Sequence, residues 1–427
     1  MKSATPLHNQ FFLGRQPILN AQQEIMGYEL LFRSTERNAS EYESQDQASM
    51  SVIASALAGF GFREVLGDKL GFINVTEEVL LSDMVEVLPH EQTILELLES
   101  VRLTGTVRER CRELKAKGFR IALDDHIYAP EHEELYRFVD IVKIDILETP
   151  QEMLLESVAA LRRFPVMLLA ERVETAGQFQ DCLELGFNLF QGYFFARPVV
   201  LNRKGLEPSH VIILRLLSCL RDEAELDEIQ DIFRTAPELS YNLLKLVNSV
   251  RIGLREKIKN LRHAIMILGL DKLRRWVQLA AFASSDSRGI NNPLLEMAAV
   301  RGRMMEYLVM ERYTLNRGSD PVEAAFMTGI LSLMDTLFDT SLEDILKELH
   351  LSDDVAAALL IREGELGTLL ALAETLEQAN FGEVQELVER TDIPLPLLLA
   401  AQLDAFNWRA SIMADKHWSE SVTRRKD

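Results

Sequence analysis

The 427-residue chain is 47% apolar and 26% charged, the balance of a folded globular protein, and its length exceeds what one ordinary core accommodates. A formal net charge of -20 argues against general attraction to nucleic acid or an anionic membrane surface. Cys111, Cys182 and Cys219 are too few and too scattered for a disulfide framework or zinc ribbon. No run approaches the roughly 18 apolar residues of a membrane span, and MKSATPLHNQ lacks a signal-peptide core. The expectation is a cytoplasmic protein with no membrane and no nucleic-acid partner.

From Phe11 to about Val200, short β-rich runs alternate with helical patterns. Strands are predicted over Phe11–Ile18, Glu24–Phe32, Leu70–Val75, Thr93–Glu99, Arg120–Asp125, Ile141–Ile146, Val166–Arg172 and Leu189–Ala196. Helices are predicted over Asp46–Gly59, Val101–Lys117 and Gln151–Phe164. Continuous apolar runs such as IVKID and VMLLAE suit strands covered on both faces. Repeated βα units point to an α/β fold of (β/α)8-barrel type, with a doubly wound open sheet as the alternative. The breaker-rich stretch RPVVLNRKGLEPSH marks a boundary, after which the chain is almost wholly helical. The predicted division is a barrel over 1–205, an all-α domain over 206–410 and a tail over 411–427.

In the barrel half, apolar strands end in polar side chains: Glu29, Asn74, Glu96, Asp124 with Asp125, Lys143, Glu171 and Gln191. In parallel β/α folds the C-terminal strand ends converge, so these groups can share one mouth. Clustered carboxylates repel unless cations neutralise them, and oxygen-rich sets suit Mg²⁺ or Mn²⁺ better than zinc. Two such ions can hold a phosphodiester for in-line hydrolysis, with a lysine stabilising developing charge. Taken singly, an acid ending a strand is more often a solvated residue or a helix cap.

The order of these passages resembles the EAL phosphodiesterases. GYELLFR carries the signature with Leu30 in place of alanine, and FINV, ILELLES, ALDD, VKID, AERVET and FQGYFFARP follow in the family's sequence. The resemblance implies metal ligands at Glu29, Asn74, Glu96, Asp124 and Asp125. It implies that Lys143 positions the attacking water, that Gln191 supports it, and that Glu171 is a further metal-site or acid–base carboxylate. Arg33 would grip a phosphate of the substrate with its planar fork, and Glu99 would brace the loop after the two aspartates. The implied reaction is hydrolysis of cyclic di-GMP to pGpG by a homodimer, acting on motility and biofilm formation.

Two departures bear on this. HIYAPEHEEL replaces the family's glycine-containing FGTG loop; His126, Ile127 and Tyr128 adopt glycine's conformations only at a cost, so a rebuilt loop between the metal site and the dimer surface is expected. Arg172 replaces the glycine of the AEGVE motif, placing a bulky cation beside Glu171. His126 and His132 are read as partly exposed loop residues rather than ligands.

The helical half resembles the HDOD domain through APELSYNLLKLVNS, IKNLRHAIMILGLDKLRRWV and AAFMTGILSLMDTL. Active HD hydrolases need a His-Asp pair, whereas GILSLMD offers Ser332, Leu333 and an isolated Asp335. His263 is read as a buried or capping residue. The module is expected to bind a protein partner or to regulate, and the pairing of the two halves is similar to the YuxH-like group. The alternative to an enzyme is a catalytically inactive adaptor that binds cyclic di-GMP or a protein.

Overall fold

A computed structural model describes residues 11–34, 62–196, 208–221, 225–234, 239, 243, 261–284, 292–315, 320–338, 340–349 and 351–414. The predicted helix over 46–59, the boundary stretch 197–207, most of APELSYNLLKLVNS, the His263 side chain and residues 415–427 lie outside them. By contacts the chain divides into two compact units, one of Met1–Arg197 with Glu374–Leu403, the other of Pro198–Ala373 with Asp404–Asp427.

In the first unit eight strands close into a barrel in chain order: β1 (Phe11–Asn20), β2 (Ile25–Ser34), β3 (Leu70–Val75), β4 (Thr93–Leu97), β5 (Arg120–Leu123), β6 (Ile141–Asp145), β7 (Met167–Glu171) and β8 (Leu189–Gln191). Closure removes the open-sheet alternative. Strands β2 to β8 are parallel to their neighbours, but β1 is antiparallel to both β2 and β8. Only Ala21–Glu24 separate β1 from β2, enough for a hairpin and far too short for a parallel crossover. The side chain of Asn20 pins that turn, accepting from the backbone of Gln22 and Glu24 at 2.9 Å each.

The crossover helices end as their sequences direct. Thr104 caps Gly105–Ala116, and Thr175 with Gln178 forms a reciprocal capping box ahead of Ala176–Leu185. Inside the barrel, Ile18, Phe72, Ile94, Ala122, Ile141, Leu169 and Leu189 form one buried apolar layer, with one residue from every strand except β2. At β2 the layer is completed by Gly27, where an added Cβ would come within 3.0 Å of the Phe72 ring.

Among the described residues of the second unit, every regular element is a helix. Helices Pro293–Tyr313 and Asp320–Leu331 pack at van der Waals closeness where Gly302 meets Gly329; a Cβ on Gly329 would sit 2.5 Å from the Gly302 backbone. Around this crossing runs a buried charge network. Glu306, fully buried, takes Arg275 at 2.5 Å and Arg303 at 2.6 Å, and Arg275 also reaches Glu323 at 2.6 Å.

Candidate active site

Side chains two residues apart on a strand face the same way. Moving two residues from the apolar layer toward the C-terminal mouth gives Glu29, Asn74, Glu96, Asp124, Lys143, Glu171 and Gln191, each on or just beyond its strand. On the antiparallel β1 the same step runs backward from Ile18 to Gln16. The ring above the core is therefore polar all the way round, and the seven residues singled out in the sequence on β2 to β8 belong to it.

Lys143 organises the ring. It lies at the middle of β6 with its side chain fully buried, and its Nζ stands 2.6 Å from Asp124, 2.9 Å from Glu96, 2.9 Å from Glu171 and 3.6 Å from Glu29. Burial opposes its charge, but Glu29, Glu96, Glu171 and Asp124 together hold its pKa well above the usual lysine value. Glu29 is the best-served acid. Burial pushes its pKa up, yet Lys143 and hydrogen bonds from Gln191 Nε2 (2.6 Å) and Asn74 Nδ2 (2.9 Å) outweigh that and leave it lowered. Glu96 goes the other way: complete burial, with Glu29 and Asp124 adding repulsion, raises it well above the carboxylate range despite Lys143. Burial likewise raises Asp124, and it pushes Glu171 up to about 8, with Asp124 and Glu29 contributing and Lys143 opposing.

One ammonium is thus shared by four carboxylates, and oxygen atoms exceed donors. Among the described residues no hydrogen-bond donor reaches Asn74 Oδ1, Glu96 Oε2, Glu171 Oε2 or Gln191 Oε1, although all are buried. Buried acceptors without donors are costly, and a set made wholly of carboxylate and amide oxygens fits a hard divalent cation. At the rim, single carboxylate oxygens of Glu99, Asp124 and Asp125 lie within 4.8 Å of one another, a second grouping with the donor chemistry for a cation. Burial raises Asp125, with Asp124 and Asp145 adding to the shift.

Arg33 is exposed near the outer end of β2, cross-strand from Phe12 and on the same side as Glu29. Gln16, which sequence reasoning passed over, stands directly opposite Glu29 in the hairpin register, and the alternation Gln16–Ile18 is the signal that finds it.

In the segment after β5 the left-handed backbone falls on one residue. His126, Ile127 and Tyr128 avoid the left-handed region; Asp125 itself takes it, at φ 42°. His126 donates its backbone N–H to Lys143 O at 2.9 Å, extending the β5–β6 pairing, and its Nε2 pairs with Tyr136 Oη at 2.8 Å. The buried Tyr136 hydroxyl also accepts from Ala129 N at 2.9 Å, and Tyr128 donates to Glu133 at 2.7 Å. Burial, then neighbouring His132, lowers His126 to about 4, so it is neutral near pH 7. Among the described residues no hydrogen bond joins Glu99 to residues 126–128.

Arg172, at φ 55°, pairs through Nε with Asp145 Oδ2 at 2.6 Å and through the guanidinium with Glu148. Beside it, a Cβ on Gly192 would lie 2.1 Å from Val173 O, so only glycine lets β8 end against this backbone.

In the helical unit Ser332 occupies a different role from a metal ligand. Its buried hydroxyl accepts from Arg301 at 3.0 Å and donates to Gly329 O at 2.7 Å. Asp335 hydrogen-bonds Thr336 N, and burial raises its pKa. Among the described residues of the helical unit, no group of three His, Cys, Asp or Glu side chains gathers closely enough to share a metal ion.

Comparison with known proteins follows this division. The EAL domain model matches residues 74–198 and the HDOD domain model residues 206–338. The cyclic di-GMP phosphodiesterase CdgJ of Vibrio cholerae is 34% identical over 97% of this chain and 93% of its own. YuxH of Bacillus subtilis, an uncharacterized protein, is 30% identical over 95% of this chain and 99% of its own. The solved EAL enzyme Bd1971, bound to cAMP and cyclic di-GMP, matches 44% of this chain at 21% identity and TM-score 0.38. This chain spans 62% of that structure's length, less than two thirds. Among the described residues no helix is long and apolar enough to cross a membrane.

Proposed function

The chain belongs to the EAL–HDOD two-domain signalling proteins of the cyclic di-GMP phosphodiesterase family, and from that premise we propose that its barrel hydrolyses cyclic di-GMP to pGpG with Mg²⁺ or Mn²⁺. The observation that carries this reading is the polar ring in which one buried ammonium serves four carboxylates while further oxygens lack donors.

Glu29, Asn74, Glu96, Asp124 and Asp125 would hold the cations, and bound divalent ions polarise a phosphodiester and supply a nucleophile at neutral pH. The protein's own residues divide the remaining work. Glu29 is held ionised by Lys143, Gln191 and Asn74, ready to bind a cation without first losing a proton. Glu171, raised to about 8, is suited to accept and return a proton near neutrality. Lys143 orients the attacking water and balances charge on the phosphate, Gln191 fixes Glu29, and Arg33 grips a phosphate at the mouth. Glu99 supports the rim beside Asp124 and Asp125. Attack by water on phosphorus with departure of the 3′-oxygen linearises the ring. A homodimer, a protein partner for the HDOD half, a cytoplasmic setting and an output in motility or biofilm formation complete the proposal.

A second reading, a non-catalytic adaptor that binds cyclic di-GMP, is favoured by the rebuilt 126–136 loop anchored on Tyr136. Purified protein incubated with cyclic di-GMP and either metal should release pGpG, detected by chromatography, and a Glu29→Ala variant should not. Wild-type protein that binds the nucleotide in calorimetry yet gives no more pGpG than the variant would establish the adaptor instead.

A further inference from the structure

The eighth member of the polar ring is tied to a distant part of the chain. Gln191 has two amide hydrogens, and both are used: one on Glu29 Oε2 at 2.6 Å, the other on Gln16 Oε1 at 3.0 Å. Gln16 can accept there only if its amide is turned with the carbonyl toward Gln191; the flipped amide would set N–H against N–H. What fixes the turn is its other end, where Gln16 Nε2 donates to the backbone carbonyl of Gln378 at 3.3 Å.

Gln378 begins the turn between helices Gly364–Glu377 and Phe381–Thr391, within the Glu374–Leu403 segment that clusters with the barrel. The turn is seated on β1 by several independent contacts. Ala379 holds the left-handed region at φ 53°, and the Phe381 ring stacks on Phe12 with centroids 6.1 Å apart. Gly14 leaves room for both: a Cβ there would meet Phe381 Cζ at 3.0 Å and Ala379 Cβ at 3.2 Å. Gln402 Nε2 donates to Leu13 O at 3.0 Å in a buried hydrogen bond. Phe12, Gly14 and Gln16 share one face of β1, and their partners on β2 are Arg33, Leu31 and Glu29. The segment therefore lies along the side of the hairpin that carries the ring.

We propose that Gln16 is a positioning residue for Glu29, and that the Gln378–Asn380 turn is a strap whose carbonyl sets the Gln16 amide, giving the C-terminal segment control over the cation site. The inference rests on the reading of Glu29 as a cation ligand. With the strap seated, Gln191 presents a fixed N–H to Glu29; with it lifted, Gln16 flips freely and Glu29 loses its fixed orientation.

The test uses the full-length protein, Mn²⁺ alone as probe, and the loss of the free-ion electron paramagnetic resonance signal as readout, with thermal unfolding alongside. Gln16→Met removes both hydrogen bonds and should weaken Mn²⁺ binding by about 3- to 10-fold, the effect of one net hydrogen bond. Gly14→Leu wedges the turn off β1, and Phe381→Ala loosens it without enlarging the strand; both should weaken Mn²⁺ in the same direction. A purely structural role would lower the melting temperature and leave Mn²⁺ affinity unchanged. Wild-type affinity in Gln16→Met overturns the inference while leaving the cation site intact. Wild-type affinity in both Gly14→Leu and Phe381→Ala overturns the strap. Failure of the wild-type protein to bind Mn²⁺ removes the underlying site reading, and this inference with it.

Discussion

Lys143 Nζ stands 2.6 Å from Asp124 Oδ1, and neither the lysine nor the adjoining Glu96 exposes any side-chain surface. Four carboxylates lean on that ammonium, so it supports the cation-free fold as well as any chemistry. Lys143→Met should lower the stability of chelator-treated protein by about 3–5 kcal/mol, the scale for removing one partner of a buried ion pair. Mn²⁺ should restore part of the loss. Urea unfolding with and without the metal measures both, and equal stability of variant and wild type in chelator would contradict the assignment.

Glu171 gives a pH signature. Burial, with Asp124 and Glu29, raises its carboxyl to about 8, so between the ordinary carboxylate range and that value the folded cation-free protein keeps a proton that the unfolded chain has lost. Its contribution to stability is therefore full at low pH and disappears as pH rises through about 8. A divalent cation at the ring must displace the same proton, so Mn²⁺ affinity should climb with pH and level off above about 8. Calorimetry at pH 7 in two buffers of different ionisation enthalpy should detect proton release that shrinks in Glu171→Gln. Identical release in the two proteins would be inconsistent with this origin.

Arg172 separates backbone strain from side-chain pairing. It sits at φ 55° and pairs with Asp145 and Glu148. Arg172→Ala keeps the strain and loses the pairs, whereas Arg172→Gly loses the pairs and relieves the strain. The glycine variant should be more stable than the alanine variant by about 1 kcal/mol. Thermal unfolding of the two, compared at one pH, decides it; an alanine variant equal to glycine would show that no strain resides there.

Gly329 tests the helical unit. A methyl group at this position would meet the Gly302 backbone at 2.5 Å, so Gly329→Ala must push two buried helices apart. A loss of about 1–3 kcal/mol is expected from overpacking, read from the shift in urea midpoint. Gly105, with nothing within 4 Å of an added Cβ, is the control that should tolerate alanine.

Most of the polar ring was legible because a strand advertises its inward face every second residue. Asn74, Glu96 and Lys143 each follow an apolar core residue by two positions, and the (β/α)8-type closure brought them together. Gln16 was missed because β1 runs the opposite way, so the same step must be counted toward the N-terminus. The destination of Arg172 was hidden because a left-handed backbone angle redirects a side chain without changing any residue name. The same holds for the segment after β5, where no residue name tells that Asp125 takes the left-handed region. Residues 374–403 read with the all-α half, and nothing in their order says that Phe381 stacks on Phe12 of β1.

The bond from Gln402 to Leu13 joins residues 389 positions apart. A nascent chain has all eight strands well before it has Phe381 and Gln402, which contact β1 from the helical segment. Contacts of such sequence separation close slowly, and until they do β1 keeps an uncovered apolar face that invites association with other chains. Stop codons or proteolytic cuts just upstream of residue 374 would consequently leave the eight-stranded barrel without the cover that Phe381 and Gln402 give β1.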